Sequence, residues 1–116
     1  MTRQATVIPD LAMHQSIVPN GTLSSTIFRD DRVSAVLFSF DAGQELTEHT
    51  ATMPAIVQII AGHARLTLAD EEIDVGPGAW IQMPAGMRHA VAARTPLTML
   101  LLLLKGRQEA TARSDP

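Results

Sequence analysis

His49 and His89 are the side chains best placed to do chemistry in this chain. Imidazole carries protons near neutral pH and is the commonest metal ligand. Two that converge can act as an acid–base pair or begin a metal site. Two alone make a poor site, since catalytic zinc takes three protein ligands and an iron facial triad takes two histidines and a carboxylate. Other chemistries find little support. Cysteine and tyrosine are absent, Lys105 is the only lysine, and no serine stands in a G-x-S-x-G context. Thiolate, Schiff-base, tyrosine-acid and serine-hydrolase mechanisms are therefore hard to build.

Each histidine stands in a punctuated segment. The first runs from Gly43 to Gly62 and reads G-Q-E-L-T-E-H-T-A-T-M-P-A-I-V-Q-I-I-A-G. The second runs from Gly78 to Ala93 and reads G-A-W-I-Q-M-P-A-G-M-R-H-A-V-A-A. Their glycine, proline and histidine spacing resembles the two motifs of the cupin superfamily, in its small single-domain bacterial form with an RmlC-like jelly roll. That resemblance covers roughly residues 33 to 104. It implies that His49 and His89 point into a barrel. In metal-binding cupins the first motif supplies two histidines and a glutamate, and the second a third histidine. Here Ala51 and Ala55 occupy the positions of the second histidine and the glutamate. The motif is degenerate, and what it implies is a divalent ion (Fe, Mn, Ni or Zn) held by His49 and His89 only if another donor completes the set.

Strand alternation places His49, Ala51 and Met53 on one face, and Met87, His89, Val91 and Ala93 on one face. The expected cavity is thus mainly apolar, lined by Ala51, Met53, Ala55, Met87 and Val91 and anchored by the two imidazoles. Candidates for a third donor are Glu45 in the loop at the barrel mouth, Glu48, Gln58, His14 and His63. Glu48 should face away from His49, and His63 reads as a surface residue. Arg88 and Arg94 should point away from the His89 face. Trp80 reads as a packing or dimer contact, and the methionines as core fillers. Gly43, Gly62, Gly78 and Gly86 stand where the chain must reverse, as turn residues.

The chain has 116 residues, one domain by length, and 46% of them are hydrophobic, enough for a core without disulfides. Formal net charge is −3 with no Lys/Arg cluster, which argues against nucleic-acid binding. The longest apolar run, Leu97 to Leu104, is too short to span a bilayer as a helix. No basic stretch followed by an apolar one opens the chain, so no signal peptide and no membrane association are expected. Absence of cysteine fits a reducing compartment, and the expected location is cytoplasmic.

Turn signals divide the rest into short strands. Residues 1–21 read as an arm with one short strand over 6–8. Residues 22–105 form the barrel, with strands expected over 22–29, 33–40, 46–50, 56–60, 63–68, 72–75, 79–83, 87–93 and 97–104. Residues 106–116 form a polar tail. The pattern implies an all-β sandwich or barrel, which the resemblance narrows to a jelly roll with a double-stranded β-helix. Leu100 to Leu104 is apolar on both faces, so a second layer or a partner chain should cover it, and a homodimer is expected. Three functions compete. One is binding of a small, mainly apolar molecule, another a metal-dependent enzyme of dioxygenase or isomerase type, and the third a dimeric interaction module. Metal-free sugar epimerases of related fold are disfavoured by the lack of tyrosine.

Overall fold

The computed structural model describes residues 4–106, and of His49 the backbone alone. A single-turn 3-10 helix, Leu11–His14, precedes nine strands among the described residues: β1 Thr22–Arg29, β2 Val33–Phe40, β3 Glu45–Thr50, β4 Ala55–Ala61, β5 Ala64–Leu68, β6 Glu71–Val75, β7 Trp80–Met83, β8 Arg88–Ala93 and β9 Leu97–Leu104. They form two antiparallel sheets. One has the order β1-β2-β9-β4-β7 and the other β3-β8-β5-β6. The fold is an all-β jelly roll.

Local chemistry sets the connections. Asp30 closes the β1–β2 hairpin, its Oδ1 accepting from the backbone N–H of Arg32 at 2.8 Å and of Val33 at 2.9 Å. Those two bonds, the first foremost, hold its carboxyl below the usual carboxylate range. Gly62 ends β4 with φ +89°. A Cβ there would overlap the Pro96 carbonyl oxygen and lie 3.0 Å from Leu97 Cα. Only glycine lets the two segments approach this closely.

Period-2 alternation decides which side chains form the core. In β2 and β9 the pairs Phe40↔Leu97, Phe38↔Met99 and Val36↔Leu101 alternate with Ser39↔Thr98, Leu37↔Leu100 and Ala35↔Leu102. The first set faces the other sheet, where Phe40, Leu97 and Met99 join Val57, Ile59, Leu66 and Val91 in the principal core. The second set forms the outer face of the five-stranded sheet. There Ala35, Leu37 and Leu100 form a smaller cluster with Leu11 of the arm packed on it.

The arm also satisfies the two hydroxyls it buries. Ser39 and Thr98 are only 3% and 1% exposed. The Ser16 N–H donates to Ser39 Oγ at 3.0 Å, and Thr98 Oγ1 donates to Gln15 Oε1 at 2.6 Å. Buried hydroxyls without partners would cost stability, so the arm is part of the fold. It is not a strand, however. Residues 6–8 make no ladder pairing, and the expected strand over 6–8 is corrected to an extended segment leading into the helical turn. Of the expected polar tail only Gly106 lies within the described residues.

Candidate functional site

The site is built from β8 and β3, which are neighbours in the four-stranded sheet. Burial alternates along β8: His89, Val91 and Ala93 are buried, whereas Arg88 is exposed. Pairing with β3 begins with Glu45↔Ala92 and Leu46↔Val91. A regular ladder would then bring Glu48 opposite His89. Instead the register shifts between Leu46 and His49, and the next pair is His49↔His89. One extra residue in β3 thus sets the two histidine positions directly opposite each other, as a β-bulge does. The same bulge leaves Glu48 on the outer face, where Arg88 donates to it at 2.9 Å and to Asp70 at 3.1 Å.

Between the sheets lies a cavity of about 130 Å³. Phe38, Val57, Met83, Met99 and Leu101 close it from one sheet and Leu46, Leu66, Leu68, His89 and Val91 from the other. Among the described residues of this lining, His89 carries the only polar side chain. It is 8% exposed, and its Nδ1 lies 3.0 Å from the Met87 carbonyl oxygen. A carbonyl oxygen only accepts, so Nδ1 is the protonated nitrogen and donates. The ring is thereby fixed in orientation and tautomer.

Of the residues expected in the cavity, the structure places His89 and Val91 on its wall. Ala51 and Met53 are not there, because β3 ends at Thr50 and the chain bends before β4, which breaks the alternation they depended on. Ala55 is buried at the start of β4, opposite Met83 and Leu103, and belongs to the core rather than the wall. Met87 precedes β8 and contributes its carbonyl instead of its side chain. The side chain of His49 lies outside the described residues; its backbone sits in register with His89.

None of the described candidates for a third donor lines the cavity. Glu45 is in β3, not in a loop, and faces outward opposite Ala92, near Arg65 and Glu72. Gln58 sits on the outer face opposite Trp80 and Leu100. His14 lies in the helical turn, and exposed His63 borders a surface depression with Asp74 and Arg94. Among the described residues no three of His, Asp and Glu gather. The described donors therefore do not suit a three-ligand centre.

The sequence reading missed most of the apolar wall. Val57, Leu66 and Leu101 carry a signal, since they occupy alternate positions in β-branched or leucine-rich strands. What the alternation lacks is which sheet faces which.

A model of the Cupin domain family matches residues 36–104. Among solved structures, a conserved protein of unknown function from Streptococcus pyogenes is 34% identical, with a TM-score of 0.79 over 91% of this chain and 92% of that one. A cupin superfamily protein from Desulfitobacterium hafniense is 29% identical, with a TM-score of 0.78 over 90% and 94%. KdgF from a Halomonas species is 22% identical, with a TM-score of 0.71 over 80% and 88%, a likeness of fold. No curated protein matches the chain.

Proposed function

The chain belongs to the cupin superfamily, and from that premise we propose that it binds a small, mainly apolar molecule in its barrel, with His49 and His89 as the polar anchors. One observation carries this reading: the cavity of about 130 Å³ has an almost wholly hydrocarbon and thioether wall with one oriented imidazole. An engineered apolar cavity of about 150 Å³ stays dry and takes up benzene. An apolar pocket with a few placed polar groups is the usual form of a small-molecule site.

Benzene added to the protein should shift the methyl resonances of Val57, Leu66 and Leu101 in a saturable way. Unchanged methyls would end the reading. A metal-dependent enzyme is the second reading, and the His49↔His89 register is the observation in its favour. Protein prepared without a tag or a nickel column should contain iron, manganese, nickel and zinc well below one equivalent. Near-stoichiometric metal, lost in both His49→Ala and His89→Ala, would install the enzyme reading in place of ours.

The proposal extends to a homodimer. On the outer face of the five-stranded sheet Leu11 packs against Leu100, while Trp80 remains 59% exposed. Gln58 lies between these two positions, opposite both, and the pair Leu102↔Ile56 forms the adjacent row. Closed two-fold dimers are the commonest soluble assembly, and this uncharged strip is apolar enough to serve as the core of one. Light scattering at micromolar concentration should give twice the chain mass for wild type and the single mass for Leu102→Glu. A monomeric wild type would remove the dimer. No helix among the described residues is long and apolar enough to cross a membrane. A cytoplasmic location is part of this proposal, and the cysteine-free composition supports it.

A further inference from the structure

Resting on the small-molecule reading, we propose the class of ligand: a molecule whose apolar part is a single planar aromatic ring. It sits on the five-stranded sheet against Phe38 and the thioethers of Met83 and Met99, and is preferred over a saturated ring of the same size.

Phe38 stands on the inner face of β2 and lines the cavity. Phe40, two residues on and wholly buried, stacks on it with centroids 6.0 Å apart and planes 23° from parallel. A buried neighbour of that kind holds the Phe38 ring in one orientation. Phe38 is nevertheless only partly buried, so ring surface is left for a ligand to cover. A planar aromatic molecule meets such a surface offset-stacked or edge-to-face, and either arrangement gains more than the area it buries. A saturated ring gains the area alone.

The thioethers act in the same direction. Met99 lies directly opposite Phe38 in the β2–β9 ladder, and Met83 lies on β7, on the far side of β4. They are 1% and 3% exposed, and both line the cavity. A polarisable sulfur is attracted to an aromatic ring and has no such preference for a saturated one. Of the five described side chains that this sheet gives the wall, three are thus ring or thioether.

The registers fix where these groups stand. Val57 and Leu101 pair across β4 and β9 and form the row between Phe38↔Met99 on one side and Met83, opposite Ala55, on the other. The flanking rows lie four residues apart along the strands, about 13 Å between backbones. One ring spans that gap once the side chains at each end are allowed for, in keeping with a cavity of about 130 Å³.

Calorimetry on the whole protein with benzene and cyclopentane tests this. The two compounds are close in volume. Each affinity is taken relative to the compound's own partition from water into hexadecane, so that hydrophobicity cancels. Benzene should be favoured about tenfold, the scale of one aromatic pair and one sulfur contact together. Met99→Leu, near in volume but without the sulfur, should reduce that preference about twofold, and Phe38→Leu should reduce it about fivefold. Equal corrected binding of the two compounds to the wild type, or a preference for cyclopentane, overturns the aromatic preference and leaves the apolar-cavity reading standing. A preference for benzene that is unchanged in both variants overturns its assignment to Phe38 and the thioethers. Failure of both compounds to bind overturns this inference and the small-molecule reading together. The wild-type comparison decides the preference even if Phe38→Leu fails to fold.

Discussion

Gly62→Ala is expected to cost about 3 kcal/mol or more of stability, enough to threaten folding at ordinary temperature. Two effects add. The residue sits at φ +89°, where an L side chain pays about 1–2 kcal/mol. Its new Cβ would also overlap the Pro96 carbonyl oxygen and press on Leu97 Cα. Both obstacles are backbone, so no rotamer change relieves them, and forced shifts of this kind cost about 1–3 kcal/mol more. The shift would propagate into the start of β9, where Leu97 is fully buried, Thr98 holds the arm and Met99 lines the cavity. Gly78→Ala is the control: its φ is +92°, but nothing lies within 4 Å of the added atom, so it carries the backbone term alone. Urea unfolding of the two variants should show Gly62→Ala losing clearly more. Equal losses would mean that the close approach to Pro96 contributes nothing.

The strands were legible because their boundaries are chemical. Gly, Pro and Asp mark the turns, and β-branched or leucine-rich runs fill the spaces between them. The expected ranges over 22–29, 33–40 and 97–104 coincide with β1, β2 and β9, and the others differ by one residue at the start or, for β4, at both ends. The arm was less legible. Its course is set by Ser39, Thr98 and Leu100, far along the chain, and a strand over 6–8 looked reasonable from local composition alone. Of the candidate site, the pairing of two strand positions was legible. Resemblance placed His49 and His89 together, and the backbone register sets them opposite each other. Simple alternation from Leu46, by contrast, brings Glu48 opposite His89. The missing information was the bulge between Leu46 and His49, a property of the β3–β8 pairing that neither strand declares by itself. Alternation also carried Ala51 and Met53 into the cavity by continuing β3 past Thr50, where the chain in fact bends. Pro54 stands at that break between β3 and β4, but the shift of register lies earlier in the chain.

Phe40→Ala should be the most destabilising change in the core, at about 3–5 kcal/mol, and it should also enlarge the cavity between the sheets. Phe40 is wholly buried, opposite Leu97. Its ring stacks on that of Phe38, with centroids 6.0 Å apart and planes 23° from parallel. Phe38 is itself part of the cavity wall. Removing the Phe40 ring therefore strips a side of Phe38 and opens a void beside the existing space. Neighbouring side chains close such voids only partly, which is why the loss exceeds the transfer energy of the ring alone. The void also connects stability to binding. A ligand that occupies only the folded state raises stability by mass action, so benzene should restore more of the melting midpoint in Phe40→Ala than it adds to the wild type. A two-ring compound such as naphthalene, too large for the wild-type cavity, should stabilise the variant alone. The measurement is thermal unfolding with and without each compound. If benzene raises the wild-type midpoint but neither compound helps Phe40→Ala, then the space left by Phe40 does not join the cavity, and the Phe38–Phe40 stack is a feature of the core alone.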